Sequence, residues 1–248
     1  MNKLSVVIIT FNEADNIARC IDSVREVADE VLVVDSFSTD RTREIAQAKG
    51  ARVLEHIFEG HIQQKNWAAE QAKYEWILSL DADETLSEEL SQSIRKAKSE
   101  HQADGYNMNR LNYYCGQAIK TCGWYPDKKA RLWNRRKGEW TGINPHDKFV
   151  LKPNAVVKHL HGDILHNTYP THESFMLTRE KFSTISAQHL QHKSKAYLTY
   201  KMWLSPPFKF IKTYIINLGF TEGRIGFVIC YNLAREVYLK YKKALQLK

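Results

Sequence analysis

Four short apolar runs, each followed by a polar turn, constrain what this chain can fold into more than any other feature. Leu4-Ser5-Val6-Val7-Ile8-Ile9-Thr10 is continuous and β-branched, and Glu30-Val31-Leu32-Val33-Val34-Asp35 is nearly so. Arg52 to His56 and Trp76 to Leu80 complete the set. Runs without polar alternation suit strands buried on both faces, as in parallel sheets. Asp15 to Val27 carries helical spacing through Ile17, Cys20, Ile21 and Val24. A second helix is predicted from a cap at Thr39 or Asp40 to Lys49, closed by Gly50, a third over Gln63 to Lys73 and a fourth over Ser87 to Ser99. Such alternation predicts right-handed βαβ units, hence an α/β, doubly wound, mostly parallel sheet flanked by helices.

Asp81-Ala82-Asp83 closes the fourth run, one of two places where a strand ends in acid; Asp35 is the other. Doubly wound sheets bind ligands beyond the carboxyl ends of their strands. Paired carboxylates there suit Mg²⁺ or Mn²⁺, which complete their shells with substrate phosphates. Asp is also common in turns and helix caps, so the pair alone leaves that reading open. No Walker A loop appears and no Gly-x-Gly-x-x-Gly follows the first strand, which disfavours a P-loop or a dinucleotide cofactor.

After residue 100 the character changes. Tyr106 to Tyr114 and Ala130 to Trp133 read as strands, separated by Gly123-Trp124-Tyr125-Pro126-Asp127. The many Trp and Tyr residues suit either stacking on sugar rings or the core of a second small sheet. His159, His161, His166 and His172 cluster in sequence.

Charge divides the chain more sharply than composition does. Net charge is +8, yet residues 193–248 hold eleven Lys or Arg against two acids, a net of +9. The remainder, with 25 basic and 26 acidic residues, carries −1. Residues 197–245 interleave Tyr197, Tyr200, Trp203, Phe208, Phe210, Tyr214 and further aromatics with these cations, as amphipathic helices at an anionic membrane interface do. Packing on the rest of the chain is the competing reading, and nucleic acid is disfavoured because no binding motif accompanies the charge. Pro206-Pro207 is expected to separate a first tail helix from the next, with Gly219, Gly223 and Gly226 marking a turn before the last. No stretch approaches the roughly 18 apolar residues needed to span a bilayer. The N-terminus lacks a signal-peptide pattern, and Cys20, Cys115, Cys122 and Cys230 match no common zinc spacing. A cytoplasmic protein with reduced thiols, peripheral on the inner face of the membrane, is the expectation.

Several motifs in order carry a family resemblance. Val7-Ile8-Ile9-Thr10-Phe11-Asn12-Glu13, Val33-Val34-Asp35-Ser36-Phe37-Ser38-Thr39-Asp40 and Leu80-Asp81-Ala82-Asp83-Glu84 resemble the nucleotide-sugar half of family 2 glycosyltransferases. Gln64-Lys65-Asn66, Gly123-Trp124-Tyr125-Pro126-Asp127 and Arg131-Leu132-Trp133 narrow the likeness to the lipopolysaccharide core, heptose-glucosyltransferase-like subgroup. The resemblance implies a GT-A-type fold and inverting transfer of a hexose from a nucleoside diphosphate sugar, UDP-linked by family habit, to a glycolipid or oligosaccharide acceptor. It places Thr10, Asn12 and Glu13 at the base and ribose and gives Asp35 to a uracil-like base. Lys65 would approach the diphosphate, Asp81 the ribose or metal, and Asp83 would hold the divalent ion. Ser36, Trp124 and Arg131 are further substrate-binding candidates. Phe37 stands where the corresponding turn usually has a small residue.

Inverting displacement also needs a general base for the acceptor hydroxyl. Asp147, after Asn144-Pro145-His146, is the choice and Asp127 the reserve. His166 matches a histidine that recurs in the subgroup and is a candidate third ligand or phosphate contact. The organisation expected is a catalytic domain over 1–190, with a nucleotide-sugar half (1–100) and an acceptor half (101–190), then a basic helical extension over 191–248. Two other readings stay open: a sugar nucleotidyltransferase, though Thr10-Phe11-Asn12-Glu13 is neither glycine-rich nor basic, and a non-catalytic acidic-pocket domain, which leaves the second half without purpose.

Overall fold

The computed structural model of the chain describes residues 3–100, 102–143 and 146–248, without the side chains of residues 143, 146 and 147. Two compact units divide it: one reaches Arg110 and resumes over Asp127–His166, and the other comprises Leu111–Pro126 and Asn167–Lys248.

In the first unit β1 (Leu4–Thr10), α1 (Ile17–Val24), β2 (Glu30–Asp35), α2 (Thr42–Ala48) and β3 (Arg52–Glu55) follow in order. α3 (His61–Gln71), β4 (Trp76–Asp81), β5 (Glu84–Leu86) and α4 (Glu88–Glu100) come next. β6 (Gly105–Tyr114) ends in the second unit, where it pairs with β7 (Gln117–Ala118). β8 (Asp127–Asn134), β9 (Gly138–Ile143), β10 (His146–Leu151) and β11 (Val157–Tyr169) complete the strands. The main sheet runs β3-β2-β1-β4-β8-β6-β11-β5, and β9 and β10 form a separate hairpin. β1 pairs in parallel with β2 and β4, whereas β8 and β6 join antiparallel.

β1 is buried on both faces because its alternate residues enter different cores, whereas β3, at the sheet edge, is exposed or half-buried throughout. Leu4, Val6 and Ile8 pack with Ile17 and Ile21 of α1 and Leu90 and Ile94 of α4. Val7 and Ile9 pack instead with Ala68 and Ala69 of α3, Trp133 and Trp140. Truncating such a residue costs about 2–5 kcal/mol, so Ile8→Ala tests the element directly. Trp133 and Trp140 are therefore core residues, with the Phe149 ring tilted against Trp133 at 4.1 Å between centroids. Neither offered residue holds the N-cap of α2, which is Arg41 without a side-chain cap; Asp40, just before it, turns the chain into the helix by accepting the Thr42 N–H on Oδ1 at 3.0 Å.

In the second unit α5 (His172–Gln188), α6 (Lys195–Ile211) and α7 (Gly223–Gln246) pack around Phe175, Ile229, Cys230 and Leu233, and around Ala187, Leu198, Tyr241 and Ala244. The expected break at Pro206-Pro207 is absent: both prolines lie inside α6. A mid-helix proline costs roughly 3 kcal/mol, which packing of α6 on α7 outweighs. The chain instead passes through a π-helical turn at Lys212–Ile216 and reverses at Leu218, whose φ is +55°.

Candidate active site

Three strands of the parallel part end at one sheet edge. Register sets Thr10 beside Asp35 and Ile9 beside Asp81. Strand order reverses there, since β2 and β3 lie on one side of β1 and β4 on the other, which is where doubly wound sheets open a crevice. A cleft of about 660 Å³ occupies this position. Thr10, Glu13, Ser36, Asp81, Asp83 and His166 line it, with Phe11, Phe58, His61, Gln64 and Arg110.

The turns after β1 and β2 brace each other. Asn12, at φ +54°, donates its N–H to Ser38 Oγ at 2.8 Å, and its Oδ1 accepts from the Thr39 N–H at 2.8 Å. Asp35 is fully buried and accepts from the Ser38 N–H (2.7 Å) and hydroxyl (2.5 Å). Asn12 and Asp35 thus hold the loop that carries Ser36, whose Oγ accepts from Gln64 Nε2 at 3.1 Å. Burial pushes the Glu13 carboxyl above its ordinary value; the Asn16 amide opposes that shift and the negative charge of Asp83 adds to it.

Asp81 lies between two buried cations. Lys65, 4% exposed on α3, places Nζ 3.3 Å from Oδ1, and Arg131, 3% exposed on β8, places a guanidinium nitrogen 3.1 Å from Oδ2. Burial alone would raise the Asp81 carboxyl, but the charges of Lys65 and Arg131 hold it well below the usual carboxylate range. Lys65 also lies over the Trp140 ring at 4.5 Å. Asn66 secures that tryptophan through its side-chain amide, whose Nδ2 donates to the Trp140 carbonyl at 2.8 Å and whose Oδ1 accepts from the Trp140 N–H at 2.9 Å. The motif Gln64-Lys65-Asn66 therefore supplies a loop brace, a cation and an anchor from one helix.

Asp83 sits in the two-residue turn between β4 and β5. β5 pairs antiparallel with β11 so that Glu84 stands opposite His166, and this register sets His166 Nε2 3.1 Å from Asp83 Oδ2. Gly162 lets β11 approach α4: a Cβ there would lie 2.3 Å from the Leu90 nitrogen, and its φ is +90°. No group of three or more His, Cys, Asp or Glu suited to a metal occurs among the described residues. One carboxylate oxygen and one imidazole nitrogen facing an open cleft still fit Mg²⁺ or Mn²⁺, ions that use one or two protein carboxylates and leave other positions to water and phosphate. Asp81, turned to Lys65 and Arg131, is less available than Asp83.

Asp127 is ion-paired with Arg110 (2.8 Å) and Lys129 (3.0 Å). Asp147 lies on β10 opposite Gly142, and its side chain is outside the described residues, as are Asn144 and Pro145. Trp124 belongs to the second unit, where it packs against Tyr169 at 5.6 Å and Phe175 at 6.1 Å. The sequence offered no signal for Phe58, His61 or Arg110 as cleft residues. Glu84 did have one, as the acid directly after Asp83.

Among the described residues no helix is long and apolar enough to cross a membrane. The family model for Glycosyl transferase family 2 matches residues 5–159. An uncharacterized glycosyltransferase of Rickettsia typhi is 32% identical, covering 100% of this chain and 89% of its own length. The lipopolysaccharide core biosynthesis glycosyltransferase LpsC of Rhizobium meliloti is 26% identical over 96% of this chain and 93% of its own. The crystal structure of S. aureus TarS 1-349 superposes with a TM-score of 0.50 at 15% identity, covering 95% of this chain and 91% of that one, a likeness of fold alone. The α/β architecture with its helical C-terminal part is of GT-A type.

Proposed function

Because the chain belongs to glycosyl transferase family 2, we propose that it transfers a hexose from a nucleoside diphosphate sugar, UDP-linked, to a lipopolysaccharide core or similar surface glycan. The observation that carries this reading is the convergence of Asp83, His166, Asp81 and Lys65 at the edge where β1, β2 and β4 end. The LpsC likeness supports the acceptor class.

In this reading the acceptor hydroxyl oxygen attacks the sugar's anomeric carbon, the bond from that carbon to the diphosphate oxygen breaks with inversion, and the hydroxyl proton passes to Asp147. Thr10, Glu13 and Ser36 bind the nucleoside; Asn12 and Asp35, expected at the base, do not line the cleft, and Asp35 is fully buried against Ser38, so both are assigned to bracing the loop instead. Trp124 is assigned to substrate binding on the resemblance alone. Asp83 and His166 would hold Mg²⁺ or Mn²⁺, which supplies Lewis-acid stabilisation of the departing diphosphate. Lys65 adds a fixed positive charge as negative charge builds on the leaving group. Arg131 and Lys65 together keep Asp81 ionised, so it can accept from ribose hydroxyls. Asp127 is reserved as an alternative base, but its ion pairs with Arg110 and Lys129 must first yield.

The division into a catalytic part over 1–190 and a basic extension over 191–248 completes the proposal. The extension would attach the enzyme to an anionic membrane surface on the cytoplasmic side, where a glycolipid acceptor resides.

Incubation of the purified protein with Mn²⁺ and a panel of nucleotide sugars, with and without core glycolipid, tests the reading. Release of nucleoside diphosphate, stimulated by the glycolipid, is expected. Release of pyrophosphate would favour a nucleotidyltransferase, and neither turnover nor binding with any donor would leave a non-catalytic pocket.

A further inference from the structure

Glu84 is fully buried and charged, and nothing in the reaction above uses it. A buried carboxylate is costly unless its lone pairs are matched. Here both oxygens are engaged, and each by a different part of the site. Oε2 accepts from the main-chain N–H of Asp81 at 3.0 Å. Oε1 accepts from Arg131 at 2.8 Å and faces Arg110 at 3.4 Å. Arg131 in turn reaches Asp81 Oδ2, and Arg110 reaches Asp127. Alternating charges therefore run Asp81, Arg131, Glu84, Arg110, Asp127 beneath the cleft, with Glu84 at the centre.

We propose that Glu84 is the positioning residue of the donor pocket: it fixes Asp81 twice, through its backbone and through Arg131, and holds Arg110 in the cleft wall. The inference rests on reading the cleft as the donor site for function, but its geometric content does not. A carboxylate is required at this position for a specific reason. Oε2 must accept from an N–H while Oε1 accepts from two guanidiniums, so both oxygens must be acceptors. Glutamine has one acceptor oxygen and one donor amide. With two guanidiniums on one side and a single neutral N–H on the other, its oxygen turns to Arg131 and Arg110, its amide donor faces the Asp81 N–H, and the Asp81 main chain loses its acceptor. Asp81 follows directly, because displacements of about 1 Å in a catalytic array cost on the order of a hundredfold in rate.

Three proteins test the proposal: Glu84→Gln, Asp81→Asn and the double variant, each checked for folding by its thermal transition. Amide hydrogen exchange reads the geometry without any need for turnover. In Glu84→Gln the Asp81 amide should lose protection by tenfold or more, on the order expected when one buried acceptor is removed. The Ile8 amide, in the adjacent strand, should stay unchanged. Steady-state kinetics with Mn²⁺ and the donor identified in the panel reads the consequence. Glu84→Gln should reduce kcat by on the order of a hundredfold with a smaller change in KM, and should add less than about twofold when built into Asp81→Asn, as expected of residues acting as one unit. Unchanged protection of the Asp81 amide would overturn the proposal, as would independent multiplication of the two rate effects. Loss of protection in a protein that turns over no nucleotide sugar would instead leave the positioning role standing and sink the donor-site reading.

Discussion

Lys65 Nζ lies 3.3 Å from Asp81 Oδ1, joining the middle of α3 to the end of β4 under the cleft. A lysine ammonium that is 4% exposed is costly to bury without such a partner. The pair thus couples a helix face to a strand end, and the same ammonium is the group proposed to meet the diphosphate. Removing one partner of a buried ion pair typically costs about 3–5 kcal/mol. Here Arg131 stays beside Asp81, so Lys65→Met should fall below that range in chemical denaturation. Its effect on transfer should be larger, at least about a hundredfold in kcat, the scale for losing a preorganised charge that stabilises the transition state. Equal turnover by Lys65→Met and the natural protein would remove Lys65 from the leaving-group site.

Asp83 and His166 face each other at 3.1 Å, and their two substitutions should not be equivalent. Calorimetric titration with nucleoside diphosphate, with and without Mn²⁺, separates them. Asp83→Ala should abolish the part of the binding that depends on metal. His166→Ala, which removes the second proposed ligand and its contact with Asp83 while leaving the carboxylate, should weaken it by at least about tenfold, the lower end for losing a group that orients a metal-binding carboxylate. Chelation should reduce the natural protein to the metal-free level and leave Asp83→Ala unaffected. If chelation changes nothing in the natural protein, the site holds no functional metal.

Two carboxylates compete for the role of base, and one of them is already ion-paired. Asp127 already accepts from Arg110 at 3.0 Å through Nε and at 2.8 Å through the terminal nitrogen, with Lys129 beside it. A carboxylate so engaged has its oxygen turned to cations rather than to an acceptor hydroxyl. Asp147→Asn should therefore spare donor binding and lower transfer by at least about a hundredfold, the lower end for general-base loss. Asp127→Asn should retain most of the transfer rate. The opposite ranking would exchange the two assignments.

Much of this site is legible in the sequence because it depends on strand ends. Thr10, Asp35 and Asp81 close continuous apolar runs, and a parallel sheet brings such ends to one edge whatever the loops do. The contacts that sequence does not disclose are those made by register. His166 meets Asp83 only because the three-residue strand β5 pairs with β11, and no periodicity marks so short a strand. Glu84 read as one more acid in a motif; its burial follows from Arg110 and Arg131, which lie on two later strands. Pro206-Pro207 misled for the opposite reason. The local rule against mid-helix proline is sound, but packing of α6 on α7 overrode it.

Stability should depend on pH through Glu30. Burial pushes its carboxyl up, but the Ser5 hydroxyl at 2.5 Å, the Lys73 N–H at 2.7 Å and Arg52 at 2.8 Å hold it below its ordinary value overall. A carboxyl with a lower value in the folded than in the unfolded chain stabilises above the unfolded value and loses that contribution as pH falls through the folded one. Glu30→Gln should thus be less stable than the natural protein at pH 7, by about 1–3 kcal/mol. The gap should narrow once pH drops below the ordinary carboxylate range near ~4.3. Denaturant melts at several pH values measure it, and a gap constant with pH would refute the ionic account.

The basic extension offers a surface, not a detachable tail, and this decides how membrane binding must be tested. Ile229, Cys230 and Leu233 of α7 are core residues of the second unit, so deletion of the extension would unfold that unit rather than isolate its surface. On α6, by contrast, Tyr200, Leu204, Phe208 and Ile211 recur every three to four residues and all are exposed, Phe208 by 66%. Ile215 continues that face, and Trp203 beside it is 65% exposed. Lys201, Lys209 and Lys212 flank it, and each such cation near an anionic bilayer contributes about 1 kcal/mol. The protein should co-sediment with phosphatidylglycerol vesicles, less with phosphatidylcholine, and less again at high salt as the charges are screened. Leu204→Ser with Phe208→Ser should abolish co-sedimentation while the thermal transition stays within a few degrees, since both side chains already face solvent. Co-sedimentation unaffected by that pair would assign the charge, not the apolar face, to whatever the extension binds.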